Sequence, residues 1–244
     1  MYDKEMYERA CLSPFLSFLP PEIVDKELED GFKHNVRSII VDPDQVDRAL
    51  ELRKKYPGCT TRLGITVGYP FGGMTTKTKI RQAMFAIEKG LDEIDLGINI
   101  NALLSDDWDA VRADLKAVKD AVAGRLDIAP VSWLVRLPLE KIDKLCELYI
   151  ELGYDVLKTS AGLHFGAMKV EHVDYVYKHF GDKLSIEVAG RCRTRETAEA
   201  MREAGANYFH MSQWRRICGG EMDYAFDYEH KTGAYSPYKD RTNS

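Results

Sequence analysis

The chain lacks several signatures, and each absence removes a class of function. It has no run of about 18 apolar residues, which excludes a membrane-spanning helix. Its first residues, Met1-Tyr2-Asp3-Lys4-Glu5, are charged where a secretory signal would be apolar. It has no basic surplus: 34 Lys and Arg stand against 39 Asp and Glu, a net charge of -5. That argues against nucleic acid as a partner. It has no C-x-x-C pair. The five cysteines (Cys11, Cys59, Cys146, Cys192 and Cys218) are odd in number and scattered. They read as reduced thiols of a cytoplasmic protein, not as a disulfide frame or a zinc site. Six histidines occur with no H-x-x-x-H spacing, so no metal is expected. Neither G-x-G-x-x-G nor G-x-x-x-x-G-K-[ST] occurs, and no cofactor is expected. The G-x-S-x-G elbow of serine hydrolases is missing too.

What is present is an alternation. Short β-branched runs occur at Cys11–Ser17, Ser38–Val41, Arg62–Gly68, Glu93–Asn99, Val131–Leu137, Asp155–Ser160, Leu184–Ala189 and Asn207–Ser212. The first is the weakest, because Pro14 interrupts it. Amphipathic stretches separate them: Asp44–Lys55, Thr76–Lys89, Trp108–Val122, Lys141–Leu152 and Thr194–Glu203. Three times a glycine closes a helix and leads into a strand, at Gly90-Leu91-Asp92, Gly153-Tyr154-Asp155 and Gly205-Ala206-Asn207. Eight βα units in 244 residues indicate an α/β fold, a TIM (β/α)8 barrel. Residues 1–218 read as one barrel domain and 219–244 as a polar C-terminal tail.

Active sites of such barrels lie at the carboxyl ends of the strands. A charge inside an apolar strand is costly unless it is paired or functional. Four expected strands carry one: Asp95, Arg136, Lys158 and Glu187. A shared pocket is the stronger reading; a buried structural salt-bridge network is the alternative. A desolvated lysine has a lowered pKa, so its neutral amine can attack a carbonyl and form a Schiff base. A carboxylate such as Asp95 can then move protons.

At this point the motifs resemble those of the deoxyribose-phosphate aldolases, class I Schiff-base enzymes. The matching segments are Thr66-Val67-Gly68-Tyr69-Pro70-Phe71-Gly72, then Thr75-Thr76-x-x-Lys79, Asp92-Glu93-Ile94-Asp95, Lys158-Thr159-Ser160-Ala161-Gly162 and Ala189-Gly190-x-x-Arg193-Thr194. The resemblance implies that Lys158 forms the imine and Asp95 relays protons. It also leaves room for a homodimer.

The chain is divergent. The family's second lysine, on strand seven, is replaced by Glu187, which would favour the charged form of Lys158. On strand five the family usually carries a glutamate where Arg136 stands, and Arg136 is expected to offset Glu187. A family glycine is replaced by Arg191, and another, on strand eight, by His210. At the end of strand one an aspartate and a threonine give way to Cys11-Leu12-Ser13. The expected substrate is a small carbonyl compound, a sugar phosphate or one bearing a carboxylate. Arg136, Arg191, Ser160, Gly190, Ser212 and His164 are the candidate binding residues, with Lys158, Asp95 and Glu187 as the catalytic set. Loss or replacement of aldol chemistry is the alternative: a different Schiff-base lyase, or a non-catalytic small-molecule-binding barrel.

Overall fold

The computed structural model describes residues 3–14, 19–162, 168–190 and 192–220. Eight parallel strands close in chain order into one barrel. They are β1 (Ala10–Leu12), β2 (Ser38–Val41), β3 (Arg62–Val67), β4 (Glu93–Gly97), β5 (Asp127–Val131), β6 (Val156–Lys158), β7 (Ser185–Ala189) and β8 (Tyr208–His210). The helices are α1 (Lys4–Tyr7), α2 (Pro21–Lys33), α3 (Val46–Arg53), α4 (Thr76–Glu88), α5 (Ile100–Leu104), α6 (Trp108–Val122), α7 (Leu139–Glu151), α8 (Val170–Phe180), α9 (Arg195–Glu203) and α10 (Trp214–Ile217). No helix among the described residues is long and apolar enough to cross a membrane. All five cysteines are free thiols. The polar tail expected over 219–244 lies outside the described residues from Glu221 onward.

Local chemistry sets the helix starts. Thr75, Asp107 and Thr194 each accept a backbone N–H three residues on, opening α4, α6 and α9. The three recurrent glycines all have positive φ, 69° at Gly90, 73° at Gly153 and 107° at Gly205. A side chain would be strained there, which is why each helix-to-strand turn carries glycine.

The core is continuous between the barrel wall and the helices. Ile39, Ile65, Ile94, Leu157, Ile186 and Phe209 are fully buried strand residues. The amino end of the barrel is closed by charge. Glu93 accepts from Arg37 at 3.1 Å and from Arg62 at 2.9 Å, and Arg37 stacks over the Tyr208 ring at 3.9 Å.

Strand five is displaced from its expected place. The run Val131–Leu137 is not a strand beyond its first residue; β5 is Asp127–Val131. After it the chain turns through Trp133, at φ 54°, into a 3-10 turn over Leu134–Arg136. Trp133 is buried, stacked on Phe71 at 5.4 Å, and its indole N–H donates to the Pro70 carbonyl. The apolar run that resembles a strand is thus a packed loop at the barrel mouth.

Candidate active site

Register brings the charged residues together. Lys158 on β6 pairs directly with Glu187 on β7, and neighbouring residues of parallel strands face the same side. Asp95 enters from β4, two strands away, in the manner of a barrel layer built from alternate strands. Ala189 on β7 pairs with His210 on β8, which in turn pairs with Cys11 on β1.

The Lys158 ammonium has three partners. Its Nζ lies 2.5 Å from Asp95 Oδ2, 2.9 Å from Glu187 Oε1 and 2.6 Å from His210 Nδ1. His210 Nδ1 is also 3.1 Å from Glu187 Oε1, and its Nε2 is hydrogen-bonded to Ser13 Oγ. Lys158, Asp95 and Glu187 are all buried. Lys158, Asp95, His210 and Ser13 line a cavity with about 620 Å³ of open space, including the part continuous with solvent. Thr66, Tyr69, Gly190, Arg193 and Ser212 complete much of its wall.

Burial pulls the Lys158 pKa down, but the charges of Asp95 and Glu187 outweigh it and the net shift is upward. The neutral amine expected from desolvation is therefore not the resting state: two carboxylates hold the group as an ammonium. Those carboxylates differ. Burial, then the nearby Glu187 charge, pushes Asp95 up to about 6 against the pull of Lys158. Burial raises Glu187 as well. The Lys158 charge, the His210 hydrogen bond and the Arg37 charge more than offset this, leaving it below the usual carboxylate range. Burial and the Lys158 charge lower His210, so its neutral form is favoured.

The expected binding residues divide. Ser212 and Gly190 line the cavity. Gly190 has φ 96°, and a Cβ there would come within 2.9 Å of Ser160 Oγ. Ser160 is buried, and its hydroxyl donates to the Ala189 carbonyl at 2.8 Å and accepts the Gly162 N–H. It ties the segment after β6 to the end of β7. Arg136 is exposed in the 3-10 turn, away from Glu187, whose charge is met by Lys158 and His210. The misplaced end of strand five is the cause. Arg191 and His164 lie outside the described residues. Sequence reasoning missed His210 and Ser13 as functional groups. The signal was there, because both were visible as departures at the ends of strands eight and one.

Cys11, Glu187 and His210 each place a ligand atom within 4.8 Å of the others. This donor set does not suit a resident metal. The Lys158 ammonium already occupies Glu187 and His210 Nδ1, and burial drives the Cys11 thiol far above its usual range, away from the thiolate a metal needs.

A barrel whose mouth holds a buried lysine between proton acceptors belongs to the class of lysine-centred α/β-barrel enzymes. Comparison with known proteins makes the class particular. The sequence profile of the DeoC/LacD family aldolases matches residues 8–207. The chain is 35% identical over 186 residues to the deoxyribose-phosphate aldolase of Clostridium novyi, covering 76% of this chain and 82% of that one. The solved structure of the aldolase QR15 is 25% identical, with a TM-score of 0.75 over 95% of this chain and 99% of that one. The tetrameric deoxyribose phosphate aldolase of Aeropyrum pernix shares the fold, with a TM-score of 0.77 at 18% identity, covering 88% and 90% of the two chains. The chain belongs to the DeoC/LacD family of aldolases, and is by that membership a class I aldolase, a carbon–carbon lyase.

Proposed function

We propose that this enzyme makes or cleaves a carbon–carbon bond next to a carbonyl through an imine on Lys158, with a substrate site altered from that of the deoxyribose-phosphate aldolases it resembles. The observation that carries the reading is the position of Lys158 Nζ, on an open cavity and within 2.9 Å of three proton acceptors. The protonated imine acts as the electron sink, Asp95 moves protons, and Glu187 stays ionised as the counter-ion of the iminium. The substrate is a small carbonyl compound carrying a phosphate or a carboxylate. Its anionic end is assigned to the wall formed by Gly190, Arg193 and Ser212, beside the amino end of α9, where the helix dipole favours negative charge.

Assay of 2-deoxyribose 5-phosphate and of 2-keto acid aldols for release of a free aldehyde tests the reading. Cleavage of either, lost in Lys158→Met, supports it. Cleavage that survives in Lys158→Met contradicts it. Cleavage of neither class by the wild type contradicts the proposed substrate range. A homodimer is the proposed assembly, to be read by light scattering.

A further inference from the structure

The resting ammonium sets a chemical requirement. A carbonyl can be attacked only after a proton leaves Nζ. Turning an ammonium and a carbonyl into an iminium and water moves two protons from nitrogen to the departing oxygen. The site offers two acceptors that can give a proton back, Asp95 and His210, both in contact with Nζ. Three of the residues that differ from the family pattern, Ser13, Glu187 and His210, meet at Lys158: Glu187 Oε1 and His210 Nδ1 both accept from its ammonium, and His210 Nε2 bonds Ser13 Oγ. A path thus runs from cavity-lining Ser13 through both ring nitrogens of His210 to the nucleophile.

We propose that His210 is a catalytic residue of the imine-forming step. Its Nδ1 takes a proton from Lys158, and its Nε2 delivers one through Ser13 to the carbonyl oxygen. The proposal rests on the Schiff-base reading above and supplies the acid–base group for it.

The steps balance. His210 begins neutral with its proton on Nε2, and Nδ1 accepts the first proton from Nζ. The freed lone pair forms the N–C bond while the carbonyl π pair moves onto oxygen. The imidazolium passes its Nε2 proton to Ser13 Oγ as the Ser13 hydroxyl proton moves to that oxygen. Asp95 takes the second nitrogen proton and returns it to the hydroxyl, which leaves as water as the nitrogen lone pair forms C=N. One N–H remains on the iminium, directed at Glu187. His210 ends neutral with its proton on Nδ1, where it donates to Glu187. Hydrolysis of the product imine runs the same steps backwards and restores the first tautomer, so the cycle closes.

The charged and titratable groups around His210 are Lys158 from β6, Glu187 from β7, Cys11 and Ser13 from the β1 segment, and Glu93 from β4, with Asp95 reached through Lys158. The lowered pKa of His210, from burial and then Lys158, keeps the accepting form populated at neutral pH.

The test is rapid-quench borohydride trapping of the full-length protein with acetaldehyde and, separately, with pyruvate. His210→Asn keeps a polar side chain beside Lys158 and Glu187 but cannot carry a proton. Removing a general acid–base group costs about a hundredfold or more. The expected result is that loss in trapping rate at neutral pH, with the same final yield at Lys158 and an unchanged melting temperature. The wild-type rate should also rise with pH as His210 loses its proton below 6.5, and in the variant only the rise belonging to Asp95, near 6, should remain. Trapping by His210→Asn at the wild-type rate and with the wild-type pH profile overturns the proposal and leaves the Schiff-base reading standing. No adduct in the wild type overturns both. Should His210→Asn not fold, Ser13→Ala decides: it leaves every partner of Lys158 in place, slowing of trapping supports the relay, and an unchanged rate overturns it.

Discussion

Among the described residues two buried lysines stand in this barrel, each 2.5 Å from a carboxylate, and they do different work. Lys79, on α4, is fully enclosed. Its ammonium donates to Asp114 on α6 and to the Gly97 carbonyl at the end of β4, while Thr76 satisfies the other Asp114 oxygen. Every group in that cluster has a fixed partner, so it clamps two helices to a strand. Lys158 has the same burial and the same short ion pair. It differs in opening on a cavity and in touching two groups that can exchange a proton, Asp95, whose carboxyl burial pushes up to about 6, and His210, whose neutral form is favoured. Burial and pairing alone do not mark an active-site lysine. Access and exchangeable protons do.

This contrast sets the expected effects of substitution. Lys158→Met should lower aldol activity by at least about a thousandfold, the scale of removing a nucleophile. The fold should survive, because Asp95 can take a proton and relieve its repulsion with Glu187. Steady-state kinetics and a thermal melt on the same sample check both halves. Asp114→Ala should do the reverse. It strands a buried ammonium and should cost about 3–5 kcal/mol in urea denaturation. The double change Lys79→Met with Asp114→Leu should recover most of that stability. If the single variant lost activity without losing stability, the distinction between the two lysines would fail.

Glu187→Gln sharpens the pH side. The Glu187 pKa is lowered in the folded state from its usual 4.5. Its contribution to stability is thus present above pH 4.5 and lost as pH falls below it. Acid titration of the folded state should show a smaller loss below that pH in the variant than in the wild type. Gly68→Ala should have the smallest effect. Gly68 sits at φ 64°, and a Cβ there would meet Lys79 Cε at 2.8 Å. A cost of about 1–3 kcal/mol is expected from the backbone strain, read as a lower urea midpoint.

Much of the site was legible because strand residues carry their neighbours by register. Once Lys158, Glu187 and Asp95 were placed on strands, their meeting followed. Arg136 failed for a local reason. The true fifth strand, Asp127–Val131, carries a proline at Pro130, which strands seldom hold, while the apolar run from Val131 reads as a strand but is a packed loop around Trp133. The His210–Ser13 contact was illegible because it joins the two ends of the chain across the closure of the barrel, 197 residues apart. Each residue alone read only as the loss of a family feature. The clamp around Lys79 was hidden similarly: its motif position was evident, but its partner Asp114 lies on another helix.

The measurement that bears most directly on the account is peptide mapping by mass spectrometry after borohydride reduction with acetaldehyde. A single reduced adduct is expected on Lys158, none on Lys79, and none in Lys158→Met. An adduct mapped elsewhere, or no adduct at Lys158 with acetaldehyde or pyruvate, would contradict it.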